Sequence, residues 1–414
     1  MFGSVRRACA LGLAAALVTL TGVPALPAVG PAPAAAQANF YTPPSPLPAG
    51  QPGDLIRSEP INYTGATGRR IMFLSRDAKN QPMAVTGTLL VPSTAWAGTG
   101  PRPIVAYAPF TAGMGDNCAV SHLVAGEVWG DLVTGVQTGF INTLLQKGFA
   151  VVQPDYQGLG TPGDHSYMMR LPQGQAVLDS LRAAQRLPGT GLAGNGPVGI
   201  AGYSQGGAAS AAAAELEPTY APELDLKGAY AGAVPADLQT LGTNLDGSLY
   251  FAFFGFAVIG ANAAHPEANI LSRANAAGRT LFQEANTVCT FDAVFRYAFR
   301  ASNTLTADGR PITAHMAEDP FRSIVAANKL GGVRPQAPTL VEHTNIDDVV
   351  PYDQARQMAR DWCSRGATVQ WGDIWNFVPL FTHLFSAGTA STNAANWLQQ
   401  RFAGQAPTNS CGLI

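Results

Sequence analysis

Gly202-Tyr203-Ser204-Gln205-Gly206-Gly207 lies between a short apolar run, residues 198–201, and an alanine-rich stretch, residues 205–215. A serine set between glycines where a strand passes into a helix is the pattern of a nucleophile elbow. The serine occupies a strained turn, and side chains reduced to hydrogen let strand and helix approach closely. In a chain with 45 glycines the bare pattern is weak. The strand before it, the helix after it and the additional Gly207 make it specific.

Working outward, short apolar runs alternate with helical stretches. Residues 71–75 and 84–91 read as antiparallel strands at one edge. Residues 103–107, 149–153, 198–201, 228–233 and 339–342 are continuous apolar runs bounded by Pro or Gly and read as buried parallel strands. Helices are predicted over residues 135–147, 173–186, 205–215 and 352–364. This alternation predicts an α/β protein with a doubly wound, mostly parallel sheet. Residues 236–328 break the rhythm, with few strand signals and several helical ones, and read as a helical cap or lid inserted into the core. The core is then divided into 39–235 and 329–414. Within the insertion, the apolar run 249–259 reads either as a buried helix or as the lining of a pocket. It is too short to span a membrane.

The chain has 414 residues, 47% apolar and only 13% charged, with 25 basic against 27 acidic side chains. Disorder is excluded by this balance, and no basic field exists to hold nucleic acid or an anionic membrane. Arg6 and Arg7 precede an apolar stretch that gives way to a Pro/Ala tract ending at Ala36-Gln37-Ala38. This is the pattern of a secretory signal peptide over residues 1–38, with Pro24, Pro27, Pro31 and Pro33 interrupting any membrane span. Four cysteines remain beyond it, Cys118, Cys289, Cys363 and Cys411. An even number fits an oxidising, extracellular compartment. Four cysteines allow three pairings, and Cys118–Cys289 with Cys363–Cys411 is the favoured one, the latter two both lying in the C-terminal portion. No Cys/His spacing suggests a metal site.

A serine elbow in an α/β-hydrolase is followed along the chain by an acid and then a histidine. Six histidines exist, and order excludes those before Ser204. Strand 339–342 leads into His343-Thr-Asn-Ile-Asp347-Asp348-Val-Val-Pro351, and only His383 lies beyond it. His383, which also follows the strand-like residues 368–371, is therefore the expected base. Asp347 is preferred over Asp348 as the acid, with Asp348 as a helix-leading carboxylate and His343 as a structural histidine. Ser204 would attack a carbonyl while His383 takes its proton and Asp347 holds the imidazole tautomer. Oxyanion donors are expected from the backbone of Gln205 and from the loop 109–113, at Thr111. Gly113 and Gly115 otherwise serve only the turn into Cys118.

With these residues in place, the sequence resembles the secretory lipase family of the yeast lipase A type. The likeness rests on Phe40-Tyr41-Thr-Pro-Pro44, Asp155-Tyr-Gln-Gly-Leu-Gly-Thr-Pro162, the elbow, Tyr220-Ala-Pro-Glu-Leu224 and Asp347-Asp-Val-Val-Pro-Tyr352. It implies an α/β-hydrolase with a helical cap, cofactor- and metal-independent ester hydrolysis, and Ser204, Asp347 and His383 as triad. Members often carry an acidic side chain in the first oxyanion loop, where this chain reads Phe110-Thr111-Ala112. The expected substrate is a small-molecule or lipid ester, met in some cases at a lipid–water interface. Carboxylesterase or acyltransferase chemistry with the same triad is the nearer alternative, and a non-catalytic binding protein of the same fold the more distant one.

Overall fold

In the computed structural model, residues 39–128, 131–375 and 381–414 are described. The predicted signal segment, with its cleavage point after Ala38, lies outside them. The strands are β1 (Leu55–Tyr63), β2 (Ala66–Arg76), β3 (Pro82–Pro92), β4 (Ile104–Ala108), β5 (Ala150–Pro154), β6 (Val198–Tyr203), β7 (Leu226–Gly232), β8 (Thr339–His343) and β9 (Val369–Asp373). They form one sheet in the order β1-β2-β3-β5-β4-β6-β7-β8-β9. The first three are antiparallel and β5 runs antiparallel to β3, whereas β5, β4, β6, β7, β8 and β9 are mutually parallel. The doubly wound, mostly parallel sheet expected from the sequence is present. The edge strand β1 is additional to it: its half-exposed Leu-Ile-Arg-Ser-Glu-Pro-Ile-Asn-Tyr carries too little apolar continuity to stand out.

The helices are α1 (Val120–Val124), α2 (Leu132–Gln146), α3 (Arg170–Arg186), α4 (Gln205–Tyr220), α5 (Leu238–Leu245), α6 (Phe251–Ala264), α7 (Ala276–Ala285), α8 (Thr290–Arg296), α9 (Ile312–Met316), α10 (Phe321–Asn328), α11 (Tyr352–Ser364) and α12 (Thr382–Phe402). Strand β4 is buried throughout, and its alternate side chains serve two cores. Ile104, Ala106 and Ala108 pack with Leu178 and Leu181 of α3 and Ala209 and Ala213 of α4. Val105 and Tyr107 face the other way, toward Phe140, Ile141 and Leu144 of α2 and Ala387, Ala390, Ala394 and Leu398 of α12. The spacing of those four residues is helical, and it marks α12, the longest helix described, which the reading of short apolar runs passes over.

Residues 236–328 contain α5 to α10 and, among the described residues, no strand of the sheet. The apolar run 249–259 becomes α6, which packs against α5, α7 and α8. Among the described residues two disulfides are present, Cys118–Cys289 and Cys363–Cys411, as favoured from the sequence. The first ties the loop after β4 to the start of α8. An isolated bridge between Gly113 and Cys289 and the hydrogen bond from Thr290 N–H to the Ala112 carbonyl run beside it. No helix of the described residues is long and apolar enough to cross a membrane.

Candidate active site

Ser204 occupies the turn between β6 and α4 with φ +56° and ψ −121°, a conformation costly for any residue with a Cβ. Its neighbours explain why the turn persists. A Cβ on Gly202 would lie 2.1 Å from the Gly206 carbonyl oxygen, one on Gly206 2.0 Å from that of Ala108, and one on Gly207 2.1 Å from that of Gly232. Only hydrogen fits at these three positions, so the helix enters close against β4, β6 and β7. The close packing holds the strained serine at the carboxyl end of β6, the edge at which open α/β sheets bind ligands.

The other expected residues reach the same edge from distant parts of the chain. His383 lies in the first turn of α12, and its Nε2 is 2.8 Å from Ser204 Oγ. Its Nδ1 is 2.8 Å from Asp347 Oδ2 and 3.0 Å from Oδ1. Asp347 follows β8 with its side chain fully buried. Its Oδ1 accepts hydrogen bonds from the N–H groups of Val349 (2.9 Å) and Val350 (2.7 Å). Burial works to raise this carboxyl, but His383 and hydrogen bonds from His343 and His383 outweigh it and hold the group well below the usual carboxylate range. The ring of Tyr203 packs against His383, and its hydroxyl donates to the His383 carbonyl at 2.7 Å.

Asp348 has a different part from the one expected of it. Instead of leading α11, its Oδ1 accepts from His383 N–H (2.9 Å) and Thr382 Oγ1 (3.0 Å), at the start of α12. Its Oδ2 accepts from the Tyr250 hydroxyl at 2.6 Å. Helix α11 begins after Pro351 with no side-chain cap. A carboxylate is drawn to the unpaired amides of a helix N-terminus, and tertiary packing decided which helix received it. The two adjacent aspartates thus divide: one holds the imidazole, the other the backbone that carries it.

His343 is buried at the end of β8, and its Nε2 lies 3.2 Å from Asp347 Oδ2 and 3.1 Å from the Val350 carbonyl oxygen. A carbonyl only accepts, so Nε2 bears the proton and is shared between the two oxygens. Sequence reasoning counted this histidine as structural and missed its contact with the carboxylate. Its position four residues before Asp347 was the available signal.

Gln205 opens α4, so its N–H is one of the four that a helix leaves without an internal acceptor. Thr111 lines, together with Ser204 and His383, a cavity of about 300 Å³. The remaining walls include Tyr250 and Phe253 of α6, Phe291, Val294 and Phe295 of α8, and Phe381 and Leu384. The run 249–259 therefore contributes both to the packed interior, through Phe251 and Phe256, and to the cavity wall, through Phe253. Gly113 and Gly115 are pressed against Cys289 and Thr287, so they serve the contact with the start of α8. A second cavity of about 80 Å³, between Leu238, Phe254, Leu271 and Phe321, contains none of these polar groups.

A family model for secretory lipases matches residues 127–410. Lipase 5 of Candida albicans is 27% identical over 401 residues, covering 91% of this chain and 82% of the relative. A Mycobacterium tuberculosis protein described as a probable inactive lipase is 27% identical over 386 residues, covering 89% and 83%. Among solved structures, Candida antarctica lipase A in its closed state superposes with a TM-score of 0.79 at 24% identity, covering 91% of this chain and 88% of that one. That likeness concerns the fold, which is the α/β-hydrolase fold.

Proposed function

The chain belongs to the secretory lipase family and is a carboxylic ester hydrolase, and from that premise we propose that it cleaves lipid esters through an acyl-enzyme on Ser204, with His383 as base and Asp347 as orienting acid. One observation carries the reading: the unbroken hydrogen-bonded chain from Ser204 through His383 to Asp347, with 2.8 Å on each side of the imidazole. Asp347 keeps the proton on Nδ1, which leaves Nε2 to accept the serine proton as Oγ bonds to the ester carbon. The tetrahedral oxyanion is met by backbone N–H groups at Gln205 and Thr111. The C–O bond to the alcohol then breaks, and His383 returns its proton to the departing alkoxide. Water, deprotonated by the same nitrogen, attacks the acyl carbon. The carboxylic acid leaves and Ser204 recovers its proton.

A cavity walled by Phe253, Val294, Phe295 and Leu384 suits an acyl chain rather than a charged substrate. Leu132, Phe291 and Phe295 are at once part of that wall and solvent-exposed, which favours substrate arriving from a lipid–water interface. Residues 236–328 act in this reading as a cap over the sheet. Export with residues 1–38 as signal peptide is supported by two disulfides and by relatives named as secreted lipases. The test is hydrolysis of p-nitrophenyl esters of graded chain length, with fluorophosphonate labelling of the folded protein. Labelling at Ser204, lost in Ser204→Ala without change in melting temperature, is the expected result. A folded wild-type protein that neither labels nor turns over would place this chain with the relative described as a probable inactive lipase. Product analysis with an added alcohol acceptor separates hydrolysis from acyl transfer.

A further inference from the structure

Oxyanion donors act only if they are held still, and in this protein the side chains of both proposed donor residues are bonded from one loop, while the Thr111 carbonyl also accepts from Thr290 Oγ1 of α8 at 2.9 Å. Residues 155–169 join β5 to α3. Gly158, at φ +67°, brings the loop back upon itself so closely that a Cβ there would lie 2.2 Å from the Asp164 carbonyl oxygen. This return sets His165 Nδ1 2.7 Å from the Gln157 carbonyl oxygen. Because a carbonyl only accepts, Nδ1 carries the proton and Nε2 presents a lone pair. The Gln205 side-chain amide donates to that lone pair at 3.3 Å. Two residues further on, the Tyr167 hydroxyl is hydrogen-bonded to Thr111 Oγ1 at 2.7 Å. From the start of the same loop, the Tyr156 hydroxyl donates to the Pro109 carbonyl at 2.9 Å, at the root of the first oxyanion loop. The three rings brace one another: His165 stacks on Tyr156 and meets Tyr167 edge-on, and Tyr167 meets Phe256 of α6 edge-on. His165, Tyr167, Gln205 and Thr111 are all buried. None of the loop's three aromatic residues has a proton-transfer step to perform in the proposed reaction.

We infer that the loop 155–169 is the positioning frame of the oxyanion hole, with His165 acting through Gln205 and Tyr167 acting through Thr111. The inference rests on the reading of Ser204 as the nucleophile. The consequence is a set of positioning residues whose loss slows the chemical step while leaving ground-state binding nearly intact, since a ground-state ester carbonyl uses the donors less than the oxyanion does.

The imidazole can be dissected with amides. An asparagine at 165 places its nitrogen where Nδ1 was and keeps the bond to Gln157 but loses Gln205. A glutamine at 165 places its amide where Nε2 was and retains a partner for Gln205. His165→Asn is expected to lower kcat on a soluble ester about 10-fold with KM within about twofold, and His165→Gln to recover most of the loss. In a Gln205→Ala background, which keeps the backbone N–H, His165→Asn is expected to cost nothing further, because its route to the donor is already cut. Tyr167→Phe is expected to lower kcat several-fold, and again to have no effect once Thr111 is Val. Wild-type kcat in folded His165→Asn, or an equal loss with and without the Gln205 side chain, overturns the inference while leaving the ester-hydrolase reading standing. An inactive wild type overturns both. Should His165→Asn fail to fold, the Tyr167/Thr111 cycle decides alone, and additive losses in it overturn the inference.

Discussion

Replacing Asp347 by asparagine should cost far more activity than replacing its neighbour Asp348, and the two hydrogen-bond sets say by how much. In Asp347→Asn the amide oxygen can keep the N–H groups of Val349 and Val350, which both bond Oδ1 in the native protein. The amide nitrogen then faces His343 Nε2 and His383 Nδ1. His343 Nε2 keeps its proton for Val350, so a donor meets a donor, at a stability cost of about 2–3 kcal/mol. His383 is forced to accept at Nδ1, which puts its proton on Nε2, the nitrogen that must take the Ser204 proton. A wrong tautomer of this kind lowers kcat by about 10³–10⁴-fold, or about 4–5.5 kcal/mol at 1.36 kcal/mol per decade. In Asp348→Asn the amide oxygen still accepts from His383 N–H and Thr382 Oγ1, and the nitrogen can donate to the Tyr250 hydroxyl. A loss of a few-fold in kcat and about 1 kcal/mol in stability is expected. The assay is kcat and KM on a p-nitrophenyl ester beside thermal unfolding followed by circular dichroism. An Asp348→Asn enzyme slower than Asp347→Asn, or both within tenfold of wild type, refutes the assignment of the acid.

Gly206→Ala should destabilise the protein by about 3 kcal/mol or more, read as a lowered urea midpoint, because the new methyl meets the carbonyl oxygens of Ala108 and Pro109. The chain-entropy relation assigns about 5 kcal/mol to the Cys118–Cys289 link, which spans 171 residues, and about 4 kcal/mol to Cys363–Cys411, which spans 48. Serine pairs should lower the midpoint in that order, and only the first should also raise KM, since it releases α8 and with it Phe291 and Phe295. Burial holds His165 down to about 4 against an ordinary 6.5, while its bond to Gln157 works the other way. The unfolded chain therefore binds one more proton between those values, so stability is full above about pH 6.5 and falls by about 3 kcal/mol as pH drops to about 4. His165→Gln should flatten that limb in a pH series of urea melts.

The parallel strands and the elbow were legible because their signals are local. A buried strand such as 149–153 needs a continuous apolar run, and Ser204 needs small residues at fixed offsets, whatever the rest of the chain does. His383 was legible by a different route, since chain order left one histidine in the eligible stretch. The edge strand β1 was not, because a half-exposed strand carries no apolar run. Helix α12 was passed over because its alanines and polar residues resemble a loop until Ala387, Ala390, Ala394 and Leu398 are seen to face one core.

What composition and spacing settled alone was the class of architecture; for the proposed triad they singled out Ser204 and His383 and, between two adjacent aspartates, preferred Asp347. Which of the two meets the imidazole, and which partners hold each in place, belonged to the tertiary structure. Asp347 and Asp348 are chemically identical and one residue apart, so the sequence offered only their spacing before Val-Val-Pro351 as a ground for preferring the first. They differ in what the folded chain brings to each, an imidazole ring on one side and the His383 N–H in the first turn of α12 on the other. The bonds from His165 to Gln205 and from Tyr167 to Thr111 span 40 and 56 residues. Such contacts leave no periodicity to read, because hydrogen bonds across a fold depend on where backbone turns deliver the groups and not on how far apart they stand in the chain.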